Sequence, residues 1–120
     1  MTFPGLLADR MRAAVWTVRA AHAARARLAE GGLDALALPR PPELPRGTGR
    51  TVERAIRIAS RNCLVRAAVR QAWHAARGRE RAIVIGVTAP SRGFRAHAWL
   101  EGDPPSASRG FREIARRPAS

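Results

Sequence analysis

Between Leu6 and Glu30 the apolar positions Leu7, Met11, Ala14, Val15, Val18, Ala21 and Leu28 recur at steps of three, four or seven, which predicts one long amphipathic helix with that series as its buried side. Gly31-Gly32 supplies the stop. The next stretch, Leu38 to Arg50, carries four prolines and two glycines and predicts an extended, irregular connection. A short helix is expected from Thr51 to Ala59. Asn62 has the short polar side chain of an N-cap, and Leu64, Ala67, Ala68, Gln71, Ala72 and Ala75 then continue with helical spacing as far as Gly78. That places Cys63 in the first turn of a helix.

The pattern changes period beyond Gly78. Ala82 to Val87 is a short, β-branched apolar run bounded by Arg81 and by Pro90-Ser91-Arg92-Gly93, and it reads as a buried strand followed by a turn. From Phe94 to Glu101 residues alternate, with Phe94, Ala96, Ala98 and Leu100 on one face and Arg95, His97, Trp99 and Glu101 on the other. Gly102 to Ser108 is a loop, and Phe111 to Ala115 offers a third strand. The order of elements gives an α+β fold in which N-terminal helices pack on a small antiparallel sheet. Residues 1–50 form the helical segment and Pro-rich connection, and residues 51–120 the core, within one compact domain.

Size and composition narrow the classes. A chain of 120 residues supports one modest core, and 46% hydrophobic against 26% charged residues is the balance of a folded protein. The net charge is +13, and all 22 basic residues are arginine. With so much alanine and glycine, this fits a genome that favours GC-rich codons. Such a surface still attracts acidic peptides, nucleic acid or anionic lipid. A nucleic-acid module is nevertheless the weaker reading, because aromatic residues are few, with no tyrosine, and no nucleic-acid motif is present. The single cysteine forms no internal disulfide, and no apolar run approaches a membrane span, so a cytoplasmic protein is expected.

Cys63 is the candidate nucleophile. The unpaired N–H groups and partial positive charge of a first helical turn favour a thiolate, and Arg61 and Arg66 stand close in sequence. The alternative for any lone cysteine is a small buried hydrophobe. Of three histidines, His22 and His74 lie in Ala/Arg-rich helices where surface or packing roles are ordinary. His97 lies in a strand, beside Trp99 on the same face, and is the candidate base. A third group would orient its ring, and the acidic residues available are Glu101, Asp103 and Glu113. Spacing alone leaves these open. Neither a metal nor another cofactor is called for.

Three blocks taken together carry a resemblance: Cys63-Leu64-Val65-Arg66-Ala67, Ala82-Ile83-Val84-Ile85-Gly86-Val87, and Phe94-Arg95-Ala96-His97-Ala98-Trp99-Leu100-Glu101. In order and spacing they resemble the catalytic domain of the lasso-peptide maturation proteases, most closely from Val52 to Glu101. The resemblance implies a transglutaminase-like fold, related to papain-like enzymes, and a cysteine peptidase that removes the leader from a ribosomally made precursor peptide. It implies Cys63 and His97 as the catalytic pair. It also implies two partners, a separate leader-recognition protein and an ATP-dependent macrolactam synthetase. The family places an aspartate about a dozen residues after the histidine, where this chain has Ser108 or Arg109. Realignment across the Gly102–Ser108 loop makes Glu113 the substitute, with Asp103 as runner-up. A Cys–His dyad and a catalytically degenerate scaffold are the remaining readings of the same resemblance.

Overall fold

The computed structural model describes the backbone of residues 3–45 and 47–119, and the side chains of these except residues 3, 4 and 92. Three helices, α1 (Phe3–Gly31), α2 (Thr48–Ala59) and α3 (Cys63–Ala75), precede a three-stranded antiparallel sheet of β1 (Ile83–Val87), β2 (Ala96–Leu100) and β3 (Arg112–Arg117). The sheet order is β2-β1-β3, so the first strand is central and the other two are edges. The expected α+β architecture is present.

The buried side of α1 differs from the one expected. Its core residues are Ala13, Trp16, Thr17, Ala20, Ala21 and Ala24, whereas Leu7, Met11, Val15 and Val18 are exposed. At 100° per residue the two sets fall on nearly opposite sides of the helix. Small alanines let α2 and α3 approach closely, and Trp16 fills the space between them and the Pro-rich segment. The Trp16 ring packs 5.7 Å from that of Trp73, and its Nε1 donates to the carbonyl of Pro39 at 2.9 Å. Ala21 belongs to the core as expected, and Leu28 packs partly against it.

The Pro-rich connection is irregular but well tied. Arg77 donates to the carbonyls of Leu44 and Pro45, and its guanidinium lies 4.4 Å from the centre of the Trp73 ring. The turn into α2 passes through Gly47 at φ 99°, a conformation open to glycine, so this helix begins three residues earlier than expected. Where α2 ends, its last carbonyls need donors. Arg66 Nε donates to Ser60 O at 2.6 Å and its Nη2 to Arg57 O at 3.3 Å, while Arg25 donates to Ala59 O. These arginines pin the junction from which α3 starts.

On the sheet, Ala98 and Leu100 of β2 and Ile83 of β1 turn toward α3 and are buried. Phe94, expected on this face, precedes the strand and is 78% exposed. The β3 strand pairs with β1 alone, with an irregularity opposite Ile85/Gly86 that leaves Ile114 without a partner on β1.

Candidate active site at the β2 edge

Asn62 caps α3 as its sequence suggests. Its side-chain oxygen accepts from the N–H groups of Leu64 at 2.9 Å and Val65 at 3.2 Å, which fixes the first turn and places Cys63 as its opening residue. The cap spends two of the first-turn donors and leaves the N–H of Cys63 without an intrahelical acceptor.

Because β2 is an edge, alternate residues direct their backbone N–H groups away from β1. Two of these have side-chain acceptors. Ala98 N–H donates to Cys63 Sγ at 3.4 Å, and Leu100 N–H donates to the Asp103 carboxylate at 3.0 Å. The helix start and the strand edge are thereby joined through the sulfur. The next residue along the strand from Ala98 is His97. Cys63 and His97 line one open cleft of about 300 Å³, together with Trp99, Arg57, Arg70 and Asp103 among others.

His97 is held by aromatic rings. Its imidazole stacks on Trp99 with centroids 6.0 Å apart and meets Phe111 at 5.1 Å, and Trp99 and Phe111 are themselves 6.4 Å apart. The side chain is half-buried. Sequence reasoning found Trp99 as its neighbour but missed Phe111, whose approach depends on the pairing of β3 with β1.

The acidic candidates are elsewhere engaged. Glu113 shares the Gly86 row with His97, but β1 stands between them, so their backbones are two strand spacings apart, roughly 10 Å. Both Glu113 carboxylate oxygens accept from the Arg116 guanidinium, which also pairs with Glu101, all on the exposed sheet surface. Arg116 therefore holds the Glu113 carboxyl below its ordinary value. Asp103 does line the cleft. Its carboxylate takes a bidentate bond from Arg70, 2.9 and 2.5 Å, in addition to the Leu100 N–H. Burial alone would raise the Asp103 carboxyl, but the hydrogen bonds from Arg70 and Leu100 hold it below its usual range, and Arg70 is raised in turn. Among the described residues no hydrogen bond joins Glu101, Asp103 or Glu113 to the His97 ring. The Arg66 side chain turns back to the end of α2, and Arg61 is exposed.

His22 is exposed on α1. His74, on α3, is half-buried with an Nδ1 that has no partner, and its pKa is lowered to about 4 by desolvation and then by Arg81, Arg79 and Arg70. Among the described residues no cluster of three His, Cys, Asp or Glu side chains is arranged for a metal ion, and no helix is long and apolar enough to cross a membrane.

The sequence profile of the transglutaminase-like superfamily matches residues 6–116, nearly the whole chain. The chain belongs to the transglutaminase-like superfamily. The match runs from α1 through β3, so the long N-terminal helix and the Pro-rich connection lie inside the family's own domain. No curated protein and no solved structure matches.

Proposed function

We propose that this transglutaminase-like protein is a cysteine peptidase that removes the leader from a lasso-peptide precursor, with Cys63 as nucleophile and His97 as its base. The observation that supports this reading best is the hydrogen bond from Ala98 N–H to Cys63 Sγ, which sets the sulfur beside the histidine's strand in a cleft open to a peptide. The lasso-peptide specificity rests on the sequence resemblance alone.

In this reaction Cys63 Sγ attacks the scissile carbonyl carbon while its proton passes to His97. The carbonyl oxygen becomes an oxyanion and takes the N–H of Cys63, a donor already aimed out of the helix end. Collapse of the tetrahedral species breaks the C–N bond, and His97 gives its proton to the departing amine. Water, deprotonated by His97, then hydrolyses the thioester to release the acid and the free thiol. No metal takes part. With Glu113 and Asp103 bound to arginines, the site works as a dyad, and the Trp99–Phe111 pair limits the tilt of the His97 ring.

The same engagement of both carboxylates favours a second reading, a degenerate member that serves as a scaffold for the leader-recognition protein and the macrolactam synthetase. One experiment separates them. The precursor peptide is incubated with the leader-recognition partner and wild type, Cys63→Ala or His97→Ala, and products are read by mass spectrometry. Leader release by wild type alone supports the peptidase. Release by Cys63→Ala, or by none of the three while folded and leader-bound, rejects it.

A further inference from the structure

The cleft at Cys63 does not end at the catalytic pair. A second opening of about 360 Å³ adjoins it along α2, and the two share Glu53 and Arg57 as lining residues. Arg50, Arg54 and Arg57 follow one another at steps of four and three, which puts them on one face of α2, and all three are exposed. Arg79 closes the far side of the second opening, and Arg66 and Arg70 line the first.

These six guanidinium groups face two carboxylates, Glu53 and Asp103, and both carboxylates are bound to the same arginine, Arg70. Among the described residues Arg50, Arg54, Arg57 and Arg79 form no ion pair. Unpaired positive charge therefore lines a groove that starts at the sulfur. His74, which lines the second opening, has its pKa lowered by burial first and then by Arg81, Arg79 and Arg70.

We infer that this groove is a substrate subsite for acidic side chains, so that the peptide drawn to Cys63 carries Asp or Glu on the side of the scissile bond that lies along α2. The inference rests on the groove leading to a reactive Cys63, and so on the peptidase reading. From Arg50 to Arg57 the helix advances by about 10 Å, the span of roughly three residues of an extended peptide. Two or three carboxylates at neighbouring positions would therefore each meet an arginine. A peptide fits this geometry better than a nucleic acid. The groove ends on a strand edge and a nucleophile, and its arginines lie along one short helical face.

Binding tests the inference apart from catalysis. A fluorescein-labelled octapeptide of glutamate is titrated by anisotropy against wild type, Arg54→Gln/Arg57→Gln, and Arg19→Gln/Arg27→Gln, which removes equal charge from exposed positions on α1. A glutamine octapeptide and an octathymidylate serve as comparison ligands. The glutamate peptide should bind wild type about tenfold more tightly than the glutamine peptide, lose most of that advantage in the α2 variant alone, and slow alkylation of Cys63 by iodoacetamide. Equal weakening in both variants, equal or tighter binding of octathymidylate, or no protection of Cys63 would each overturn it. Groove binding without precursor cleavage would instead reject the peptidase and leave the acidic subsite in place.

Discussion

Gly86 lies directly beneath the Trp99 indole: a Cβ at position 86 would stand 2.7 Å from Cη2 and 2.9 Å from Cζ3 of that ring, and 3.0 Å from the carbonyl oxygen of Arg112. The glycine is the floor on which Trp99 rests, and Trp99 in turn stacks against His97. Substituting Gly86 by Ala should displace the indole and tilt the imidazole with it. Overpacking of this kind costs about 1–3 kcal/mol. The expected result is a lower thermal midpoint together with a changed tryptophan emission and, on the proposed peptidase reading, reduced leader cleavage. Unchanged emission and activity would show that the ring does not depend on this seat.

How far this arrangement could be read from the sequence depended on whether local rules decided each part. The Asn62 cap, the opening position of Cys63 and the placement of His97 and Trp99 on one strand face all follow from side-chain chemistry and a period of two, and the structure has each of them. The orientation of α1 does not follow from such rules. Large apolar residues marked one side, but the helix buries the opposite one, where Ala13, Ala20 and Ala24 allow close packing and Trp16 finds an acceptor in Pro39. The third group of the site was equally out of reach. Whether Glu113 meets His97 is decided by the strand order β2-β1-β3, and whether Asp103 does is decided by Arg70, two helical turns along α3 from Cys63.

The inverted α1 gives contrasting expectations for stability. Met11→Gln and Val15→Gln, on the exposed side, should change unfolding free energy by less than about 0.5 kcal/mol. Ala20→Leu forces a larger side chain into a fully buried position and should destabilise by about 1–3 kcal/mol. Urea unfolding of the three variants checks this. A large loss from Met11→Gln with tolerance of Ala20→Leu would mean that α1 buries the other side.

Glu113 and Asp103 should behave oppositely. The Glu113 carboxylate faces Arg116 and solvent, so on the proposed peptidase reading Glu113→Gln should leave leader cleavage within about twofold of wild type. Asp103→Ala leaves the half-buried Arg70 without its bidentate partner and the Leu100 N–H without an acceptor, a loss of roughly 2–4 kcal/mol by the behaviour of such pairs. The folded-state carboxyl of Asp103 is depressed below its ordinary 3.8. Its contribution is therefore complete above pH 3.8 and is lost as pH falls through the lower folded value. Thermal melts of both variants from neutral to acid pH distinguish the two. Severe loss of cleavage in Glu113→Gln with a stable fold would restore it as the group that orients His97.

His74 sets a milder acid limit. Its pKa falls from 6.5 to about 4 on folding, through desolvation first and the charges of Arg81, Arg79 and Arg70 second, opposed by Asp103. An unfolded chain therefore binds more protons at this site than the folded one between those values, and stability declines as pH drops from 6.5 toward 4. Solvent screens a half-buried ring, so the loss across the window is about 1–2 kcal/mol. Replacing His74 by Gln removes the titrating group. The variant should show a flatter stability profile than wild type between pH 6.5 and 4 in urea unfolding, whatever its stability at neutral pH. Parallel profiles would mean that His74 titrates alike in the folded and unfolded chain and that burial and the neighbouring arginines do not lower its pKa.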